Sequence, residues 1–329
     1  MHQSDCAFNS TVAMLVTPPG GFNAYQMEDF DRGTAYRDQD GRLHIEPWDD
    51  YEHSSKDIQY VMENILQTTG TCSNSFQSLR DKFNFSLLAC CDCLEKSGNI
   101  ETFCIDSNCN HGSNYIVYKS EENAELVLNK KRKSTDLLYE CSSRCLCPTY
   151  CYNRLVQFGP RKYLNIIDCL TDGKGLGLTS SKRIPEGGFI CEYAGEILSE
   201  EETFIRHQSN DVSNQMNYII RLNECSSSLE VESNDEYVHT TYIDAGRISN
   251  IGRYLNHSCD PNCELISVRI FAKRDISANE ELCFSYGDKS NLTVTSNKIA
   301  PIEKNSNQPV DRKPCKCGSS NCLKYLPNF

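Results

Sequence analysis

The chain has 329 residues, of which 39% are hydrophobic and 24% are charged, and its formal net charge is −12. This composition is typical of a soluble globular protein with one large domain or two smaller ones. No apolar run is long enough to predict a membrane-spanning helix, so no membrane partner is expected. The acidic balance disfavours direct, sequence-specific nucleic-acid binding, because that needs a basic face. An acidic surface suits a basic protein partner, although solubility alone could also explain the charge.

The chain contains 20 cysteines, and the compartment of the protein decides how they are interpreted. The apolar stretch at residues 11–16 is too short for a signal-peptide core, and no basic residue precedes it. We therefore expect a reducing compartment, in which closely spaced thiols favour metal ions over disulfides. The alternative is a secreted protein held by disulfides, which the metal-like spacing and the missing leader disfavour.

The first third of the chain lacks a strong hydrophobic pattern. Residues 1–85 predict an N-terminal region that is partly disordered, in which residues 57–66 could be a short helix or an extended arm. Residues 86–155 are rich in cysteine and poor in long apolar runs, so we expect metal to organise them. Within them, the charged stretch 120–136 predicts a loop or a weak helix.

A first array of metal-ligand side chains lies in this cysteine-rich region. Its members are Cys91, Cys93, Cys104, Cys109, His111, Cys141, Cys145, Cys147 and Cys151. Three separate tetrahedral zinc ions would need twelve ligand positions. Three bridging thiolates and six terminal ligands fill those twelve positions, so nine side chains can close a three-zinc cluster. His111 fits only a terminal position, because one imidazole nitrogen binds one ion.

From residue 160 onward, short β-type runs alternate with Gly, Pro and Asn. The strand candidates are residues 163–169, 189–193, 218–222, 242–243, 265–272 and 282–286. One helix is predicted at residues 199–208, since Ser199 and Glu202 have the spacing of a capping box. The chain is therefore expected to be mostly β with few helices.

A second cysteine array lies at the C-terminal end, after a polar segment at residues 289–312 that predicts a flexible loop. Its members are Cys315, Cys317 and Cys322. Three thiolates leave one position of a tetrahedral zinc ion open, and Cys259 is the best candidate for it. A site closed by four thiolates is structural, and it would fold the tail over Asn256 and His257.

Together these features resemble the pre-SET/SET/post-SET histone lysine methyltransferases over about residues 57–329. The matching segments are Cys91-Asp92-Cys93, residues 139–154, Gly173-Lys174-Gly175-Leu176-Gly177-Leu178, residues 191–196, 217–220, 252–259, 280–287 and the terminal cysteines. Within this family the resemblance is nearest to the SET portion of SET–mariner transposase fusions.

The resemblance implies a SET-domain fold of several small β-sheets with a knot-like C-terminal segment. It implies a pre-SET zinc-cluster domain at residues 86–155, a SET catalytic domain at 156–288, and a post-SET zinc tail at 313–329. It also implies S-adenosylmethionine as cofactor and a nuclear, chromosomal location. The implied partners are the histone H3 tail and other chromatin proteins.

The resemblance further assigns site residues by position. Tyr286 matches the catalytic tyrosine of the family, and Tyr193 and Phe284 match walls of its lysine channel. The positions that match cofactor-binding residues are Lys174, Gly175, Leu176, Gly177, Tyr218, Arg253, Asn256 and His257. Ordinary structural explanations also exist: a tight turn for the glycines, a hydrogen-bonded turn for Asn256 and His257, and aromatic core for Phe284. Phenylalanine at position 284 suggests di- or trimethylation by family analogy.

The chain also departs from the family. His111 stands where the family usually has cysteine, Leu176 replaces a tryptophan, and Ser285 replaces an aspartate. The run 263–275 is short where relatives have a hairpin, a change that could remove a strand pair from the SET sheet.

Several functions are compatible with this pattern. The first is an active protein-lysine methyltransferase acting on histone H3, in which the pre-SET cluster favours lysine 9 and the SET–mariner relation makes lysine 36 a rival. A non-histone substrate is a further possibility. The alternative is an inactive zinc scaffold that binds histone tails or chromatin partners, which the missing hairpin would favour. A zinc-dependent hydrolase is set aside, because the chain has no H-E-x-x-H helix.

Overall fold

The computed structural model describes residues 33–84, 91, 111–120, 124–132, 138–147, 149, 151–169, 173–213, 215–226, 237–287 and 313–327. Short strands dominate these residues, as the sequence predicts. The strands are β1 (Gly33–Arg37), β2 (Leu43–Pro47), β3 (Gln59–Tyr60), β4 (Ile65–Leu66), β5 (Tyr115–Lys119), β6 (Ala124–Leu128), β7 (Leu164–Asp168), β8 (Leu176–Ser180), β9 (Phe189–Glu192), β10 (Glu196–Leu198), β11 (Ile219–Ser226), β12 (Tyr237–Asp244), β13 (Ile248–Ser249), β14 (Asn256–His257), β15 (Cys263–Ile266), β16 (Arg269–Ala272) and β17 (Cys283–Phe284). The helices are α1 (Asn74–Asn84) and α2 (Glu200–Val212). No described helix has the length and apolar character needed to cross a membrane.

The shortened run near residue 270 forms a hairpin. β15 pairs antiparallel with β16, and β16 continues antiparallel to β9, so that three strands make one sheet. The chain reverses at Ser267 and Val268, where Ser267 adopts the left-handed region with φ of 54°. The prediction of a single strand over residues 265–272 is wrong. The short run, which could have removed a strand pair, retains the pair of β15 and β16. A tight turn keeps both strands with few residues.

The main hydrophobic core lies between this sheet and the neighbouring sheet of β11, β12, β10 and β4. Ile190, Ile243 and Ile270 are completely buried in it. β9, the edge strand of the three-stranded sheet, is buried along almost its whole length. The same core includes Tyr193, which follows β9, and Ile220 of β11, with Tyr218 packed against it.

Helix α2 follows β10 and covers the end of its sheet. The backbone N–H of Glu202 donates to the Oγ of Ser199 at 3.3 Å, which confirms the predicted start of the helix. Only this half of the capping box forms, because the Ser199 N–H donates instead to Oε1 of Gln67 at 2.6 Å. The helix continues to Val212, beyond the predicted end at residue 208.

Part of the N-terminal region lies against the main core as an extended arm. β3 pairs in parallel with β13, and β4 pairs in parallel with β10. His53 adds to this contact, since its ring nitrogens lie 2.9 Å from the Tyr254 hydroxyl and 2.9 Å from the Ser249 carbonyl oxygen. Of the two predictions for residues 57–66, the extended arm is correct. Helix α1, which begins where the Phe76 N–H donates to Ser73, was not predicted.

The cysteine-rich region contributes to a second hydrophobic core, although it is poor in long apolar runs. β5 and β6 form an antiparallel hairpin in which Tyr115 and Leu126 are buried. These side chains belong to one cluster with Phe189 and Phe271, which come from the three-stranded sheet. β6 lies within the stretch predicted as a loop or weak helix, because charged flanking residues hide its run of four buried residues.

Two short parallel strands bring distant parts of the chain together. β14 pairs with β17, so that His257 lies opposite Phe284 in the register. A 3-10 helix, Ile251–Tyr254, leads into β14, and the Asn250 side chain accepts a hydrogen bond from the Gly252 N–H at 2.9 Å. Parallel pairing needs a long connection, which residues 258–282 supply.

Candidate functional site

A small pocket opens between the β14–β17 pair and the start of β11. It is lined by Tyr193, Asn217, Tyr218, Ile219, Ile220, Arg253, Leu255, Phe284 and Tyr286. Five of these were predicted from the sequence, although they come from separate segments between residues 193 and 286. The fold therefore brings the predicted channel residues together with two predicted cofactor residues, Tyr218 and Arg253.

Three aromatic rings form one side of the pocket. The ring of Phe284 lies 5.1 Å from that of Tyr286 and 6.0 Å from that of Tyr193, measured between centroids. Phe284 is only 2% exposed, so it is part of the core as well as of the pocket wall. An aromatic wall of this kind favours an apolar or neutral group over a hydrated charge.

Both tyrosine hydroxyls of this wall are held by backbone carbonyl groups. Tyr286 donates to the Leu255 carbonyl oxygen at 3.0 Å, and Tyr193 donates to the Tyr218 carbonyl oxygen at 2.8 Å. Burial raises the pKa of both hydroxyls well above the usual value of tyrosine. Each is therefore a neutral hydrogen-bond donor at physiological pH, and neither is a base.

Arg253 and Tyr218 form a stacked pair at the pocket edge. The guanidinium carbon of Arg253 lies 4.4 Å from the Tyr218 ring centroid, which is within the range of a cation–π contact. A hydrogen bond from Arg253 to the Gly246 carbonyl oxygen at 3.2 Å holds the guanidinium in place. The pair offers a flat, weakly hydrated surface on which a planar group can stack.

The glycine segment, Gly175-Leu176-Gly177, lies beside Asn256. Gly175 has φ of +83°, and a Cβ built on it would meet no atom within 4 Å, so its backbone borders open space. A Cβ on Gly177 would approach Cys169 Sγ to 2.8 Å and Asn256 Nδ2 to 3.2 Å, so a larger residue does not fit there. The Asn256 amide donates to the Leu176 carbonyl oxygen at 3.1 Å and links β14 to this segment.

His257 links the backbone of Tyr286 to a cysteine. Its Nδ1 accepts a hydrogen bond from the Tyr286 N–H at 3.1 Å, so in the neutral ring the proton is on Nε2. Nε2 lies 3.4 Å from Cys259 Sγ and can donate to it. Burial lowers the pKa of His257, which favours the neutral ring. Cys259 is thus one hydrogen-bonded residue away from Tyr286.

The second cysteine array converges in space. Ligand atoms of the four residues lie within 4.8 Å of one another, a separation that fits one tetrahedral ion. The four residues are Cys259, Cys315, Cys317 and Cys322. The Sγ atoms of Cys259 and Cys315 lie 3.8 Å apart. The fit supports the prediction that Cys259 completes the terminal trio.

The described part of the first array forms two groups that share Cys141. One group is Cys91, His111, Cys141 and Cys145, and the other is Cys141, Cys147 and Cys151. A thiolate that belongs to two groups has the position of a bridging ligand, and His111 belongs to one group only, as a terminal ligand does. The remaining predicted ligands, Cys93, Cys104 and Cys109, lie outside the described residues.

Two arginine side chains donate hydrogen bonds to the cysteines of this first array. Arg154 is fully buried and donates to Cys147 Sγ at 3.2 Å and to the Cys141 carbonyl oxygen at 2.6 Å. Arg37, from β1, donates to the carbonyl oxygens of Cys145 and Cys147, both at 2.8 Å. Buried positive charge beside closely spaced thiols offsets the negative charge that thiolates carry when they hold zinc.

Comparison with known proteins agrees with this geometry. The family model "SET domain" matches residues 175–287. The probable histone-lysine N-methyltransferase set-23 of Caenorhabditis elegans is 40% identical over 213 residues, which cover 61% of this chain and 77% of that protein. The bovine (Bos taurus) histone-lysine N-methyltransferase SETMAR is 36% identical over 241 residues, covering 69% of this chain and 72% of that protein. This chain belongs to the SET-domain histone-lysine methyltransferase family.

Solved structures support the same fold for this SET protein. The crystal structure of the methyltransferase domain of human SETMAR aligns with a TM-score of 0.56 and 27% sequence identity. The alignment covers 85% of this chain and 93% of that domain. The predicted SET fold is therefore confirmed, and the chain is an S-adenosylmethionine-dependent methyltransferase.

The site of this SET protein contains residues that sequence reasoning missed. Asn217, Ile219, Ile220 and Leu255 line the pocket, and Glu281 accepts a hydrogen bond from Asn256 at 2.9 Å. All five lie within the segments that carry the family resemblance, but the sequence analysis assigned them no role. Ser285, which replaces the family aspartate, donates to the Gly287 carbonyl oxygen at 2.8 Å and stabilises the turn after β17.

Proposed function

We propose that this chain transfers methyl groups from S-adenosylmethionine to a lysine of the histone H3 tail, with lysine 9 as the preferred target. The observation that carries this proposal is the pocket in which Tyr193, Phe284 and Tyr286 lie side by side. Its walls suit an alkylamine whose chain is apolar and whose end must lose its charge.

The aromatic wall would prepare the substrate amine. A lysine has a pKa of about 10.4 in water, so its neutral form near pH 7.4 costs about 4 kcal/mol. Transfer into a buried aromatic pocket disfavours the ammonium form and lowers that pKa. Tyr286, as a neutral phenol, would orient the amine lone pair and would not remove its proton. Water at the pocket mouth would take the proton.

The cofactor is proposed to lie along the glycine segment. When bound, S-adenosylmethionine supplies an electrophilic methyl group on a sulfonium sulfur. The open backbone at Gly175 allows close approach, and the stacked pair of Arg253 and Tyr218 offers a face for a planar ring. Lys174, Leu176, Asn256 and His257 are proposed to complete the binding surface.

The cysteine groups are proposed to hold zinc, with three ions in the first array and one in the second. The shared position of Cys141 and the convergence of the second array support this arrangement. Both sites would be structural. Zinc at the second site would fix Cys259, and through His257 it would hold the backbone of Tyr286.

A basic tail is the substrate that the charge favours. The net charge of −12 attracts a lysine-rich segment and repels the nucleic-acid backbone. The cysteine array of the pre-SET type supports lysine 9, and lysine 36 or a non-histone protein is the alternative that the SETMAR relation favours. We accordingly propose a nuclear location on chromosomes, where other chromatin proteins could also be partners.

The proposal can be tested with the purified 329-residue chain, labelled S-adenosylmethionine and an array of histone H3 peptides. We expect label on peptides that contain lysine 9, with di- and trimethyl products in the mass spectrum. A Tyr286→Phe variant that retains bound zinc is the matched control, because it changes one hydroxyl of the pocket. Zinc-loaded protein that labels no peptide would support the inactive scaffold instead.

The methylation state tests the pocket wall itself. We expect Phe284→Tyr to shift products toward the monomethyl form, because a hydroxyl at this position would hold water and crowd a methylated amine. Mass spectrometry of the same peptide at equal turnover measures the shift. An unchanged ratio of mono-, di- and trimethyl products would contradict this assignment of Phe284.

A further inference from the structure

We infer that Glu281 is a positioning residue for S-adenosylmethionine, acting through the side-chain amide of Asn256. The inference rests on the proposed function, in which Asn256 contacts the cofactor. Glu281 lies within the segment 280–287 that carries the family resemblance, yet none of the predicted roles includes it. Its carboxylate lies against the glycine segment, next to Gly177. The Glu281 side chain is 21% exposed, and that of its partner Lys174 is 12% exposed.

The carboxylate joins two proposed cofactor residues. Its Oε1 accepts a hydrogen bond from Asn256 Nδ2 at 2.9 Å, and its Oε2 lies 2.5 Å from Lys174 Nζ. A backbone bridge between Glu281 and Thr179 of β8 fixes its position relative to the glycine segment. One acidic side chain therefore connects the strand that carries the glycines with β14.

These contacts decide the orientation of the Asn256 amide. The Leu176 carbonyl oxygen and the Glu281 carboxylate both accept hydrogen bonds, so the amide presents its NH2 group to both. The Asn256 Oδ1 then points away from them as an acceptor. S-adenosylmethionine carries donors that match an acceptor there, namely its ammonium group and its adenine amine.

The space around the amide allows little other freedom. A Cβ on Gly177 would lie 3.2 Å from both Asn256 Nδ2 and Glu281 Oε1, so these groups are packed against the glycine backbone. Without the carboxylate, the Leu176 carbonyl would be the remaining acceptor, among the residues that the structure describes, to oppose rotation of the amide. A rotated amide would present NH2 to a cofactor donor, which repels it.

Binding of S-adenosylhomocysteine, measured by titration calorimetry on zinc-loaded protein, tests the inference without turnover. We expect Glu281→Gln to raise the Kd by about tenfold or more, because a charged acceptor is replaced by a group that also donates. Glu280→Gln is the matched control. It removes the same charge one residue away, where Glu280 pairs with the exposed Arg274 at 2.6 Å, and we expect an unchanged Kd.

A double-mutant cycle separates positioning from a general effect on the fold. If Glu281 acts through Asn256, Glu281→Gln should weaken binding in the parent and add almost nothing in an Asn256→Ala background. Equal effects in both backgrounds, or no effect in either, would overturn the inference alone. Should Asn256→Ala itself bind normally, the proposed cofactor site fails with it. Glu281→Asp, which keeps the charge, replaces Glu281→Gln if that variant does not fold, and we expect it to weaken binding less.

Discussion

Arg206 of helix α2 is the best place to test how the site scaffold is stabilised. Its Nη1 lies 2.7 Å from carboxylate oxygens of both Glu196 and Asp244, and its Nε lies 2.9 Å from Glu202. The exposed fraction of the Arg206 side chain is 16%, and those of the carboxylates are 2%, 10% and 9%. The pairs join β10, β12 and α2, and β12 in turn pairs with β11, whose first residues line the pocket.

Replacing Arg206 with methionine leaves three buried carboxylates without their common partner. Removal of one member of a buried ion pair costs about 3–5 kcal/mol. The three effects are not additive, since Thr68 still donates to Glu196 from its N–H and its hydroxyl, at 2.8 and 2.7 Å. We therefore expect Arg206→Met to lower the free energy of unfolding by about 3–5 kcal/mol in total.

The assay is urea unfolding of zinc-loaded protein, with Arg183→Met as control. Arg183 pairs with Asp275 at 2.7 Å, but both side chains are about half exposed, so its loss should cost under about 1 kcal/mol. Equal losses in the two variants would refute the reasoning.

The pH dependence of the Arg206 variant gives a second check. Burial raises the pKa of Glu196, but hydrogen bonds from Arg206 and Thr68 outweigh it and hold the net pKa below the ordinary value of 4.5. A carboxyl with a depressed folded-state pKa stabilises the protein above its unfolded pKa and loses that contribution as the pH falls through the folded value. The difference between Arg206→Met and the parent should therefore shrink below about pH 4.5, and a constant difference would contradict the assignment.

Three further predictions follow from the metal groups. Arg154→Leu should destabilise the cysteine-rich region by about 3–5 kcal/mol and lower its zinc content, measured by thermal unfolding and by atomic emission, because buried thiolates lose their positive neighbour. Cys322→Ser should reduce kcat with little change in overall unfolding, because the effect passes through Cys259 and His257 to Tyr286; an unchanged kcat would argue against this link. A zinc chelator should abolish turnover and, in protein without bound S-adenosylmethionine, also lower the temperature of thermal unfolding. An unchanged unfolding temperature after complete zinc removal would contradict a structural role for zinc.

The sequence predicted best those features that depend on residue type at a fixed spacing. The cysteine arrays, the glycine segment and the aromatic residues near position 286 each carry their meaning locally, since ligand count and backbone freedom depend on residue type. The mostly β class and the start of α2 at Ser199 are also local, because a cap and a β-type run involve neighbouring residues.

Other features depended on partners distant in sequence. The sequence of residues 265–272 predicts one strand, whereas the structure forms a hairpin of β15 and β16. The pairing of β16 with β9, which is distant in sequence, stabilises that hairpin. The sequence around β6 predicted a loop or a weak helix, because the side chains that bury β6, such as Phe189 and Phe271, lie far along the chain. Glu281 lies in the matching segment 280–287, but the sequence assigned it no role, since its proposed role arises from contacts with Lys174 and Asn256.

By itself, then, the sequence determined which side chains are available for chemistry: closely spaced thiols of the kind that bind metal ions, and aromatic residues near Tyr286. Only the tertiary structure decided which atoms meet, such as the parallel pairing of β14 with β17 that joins His257 to Tyr286. The physical reason is that such pairing depends on burial and hydrogen bonds summed over the whole core, whereas ligand identity belongs to single residues.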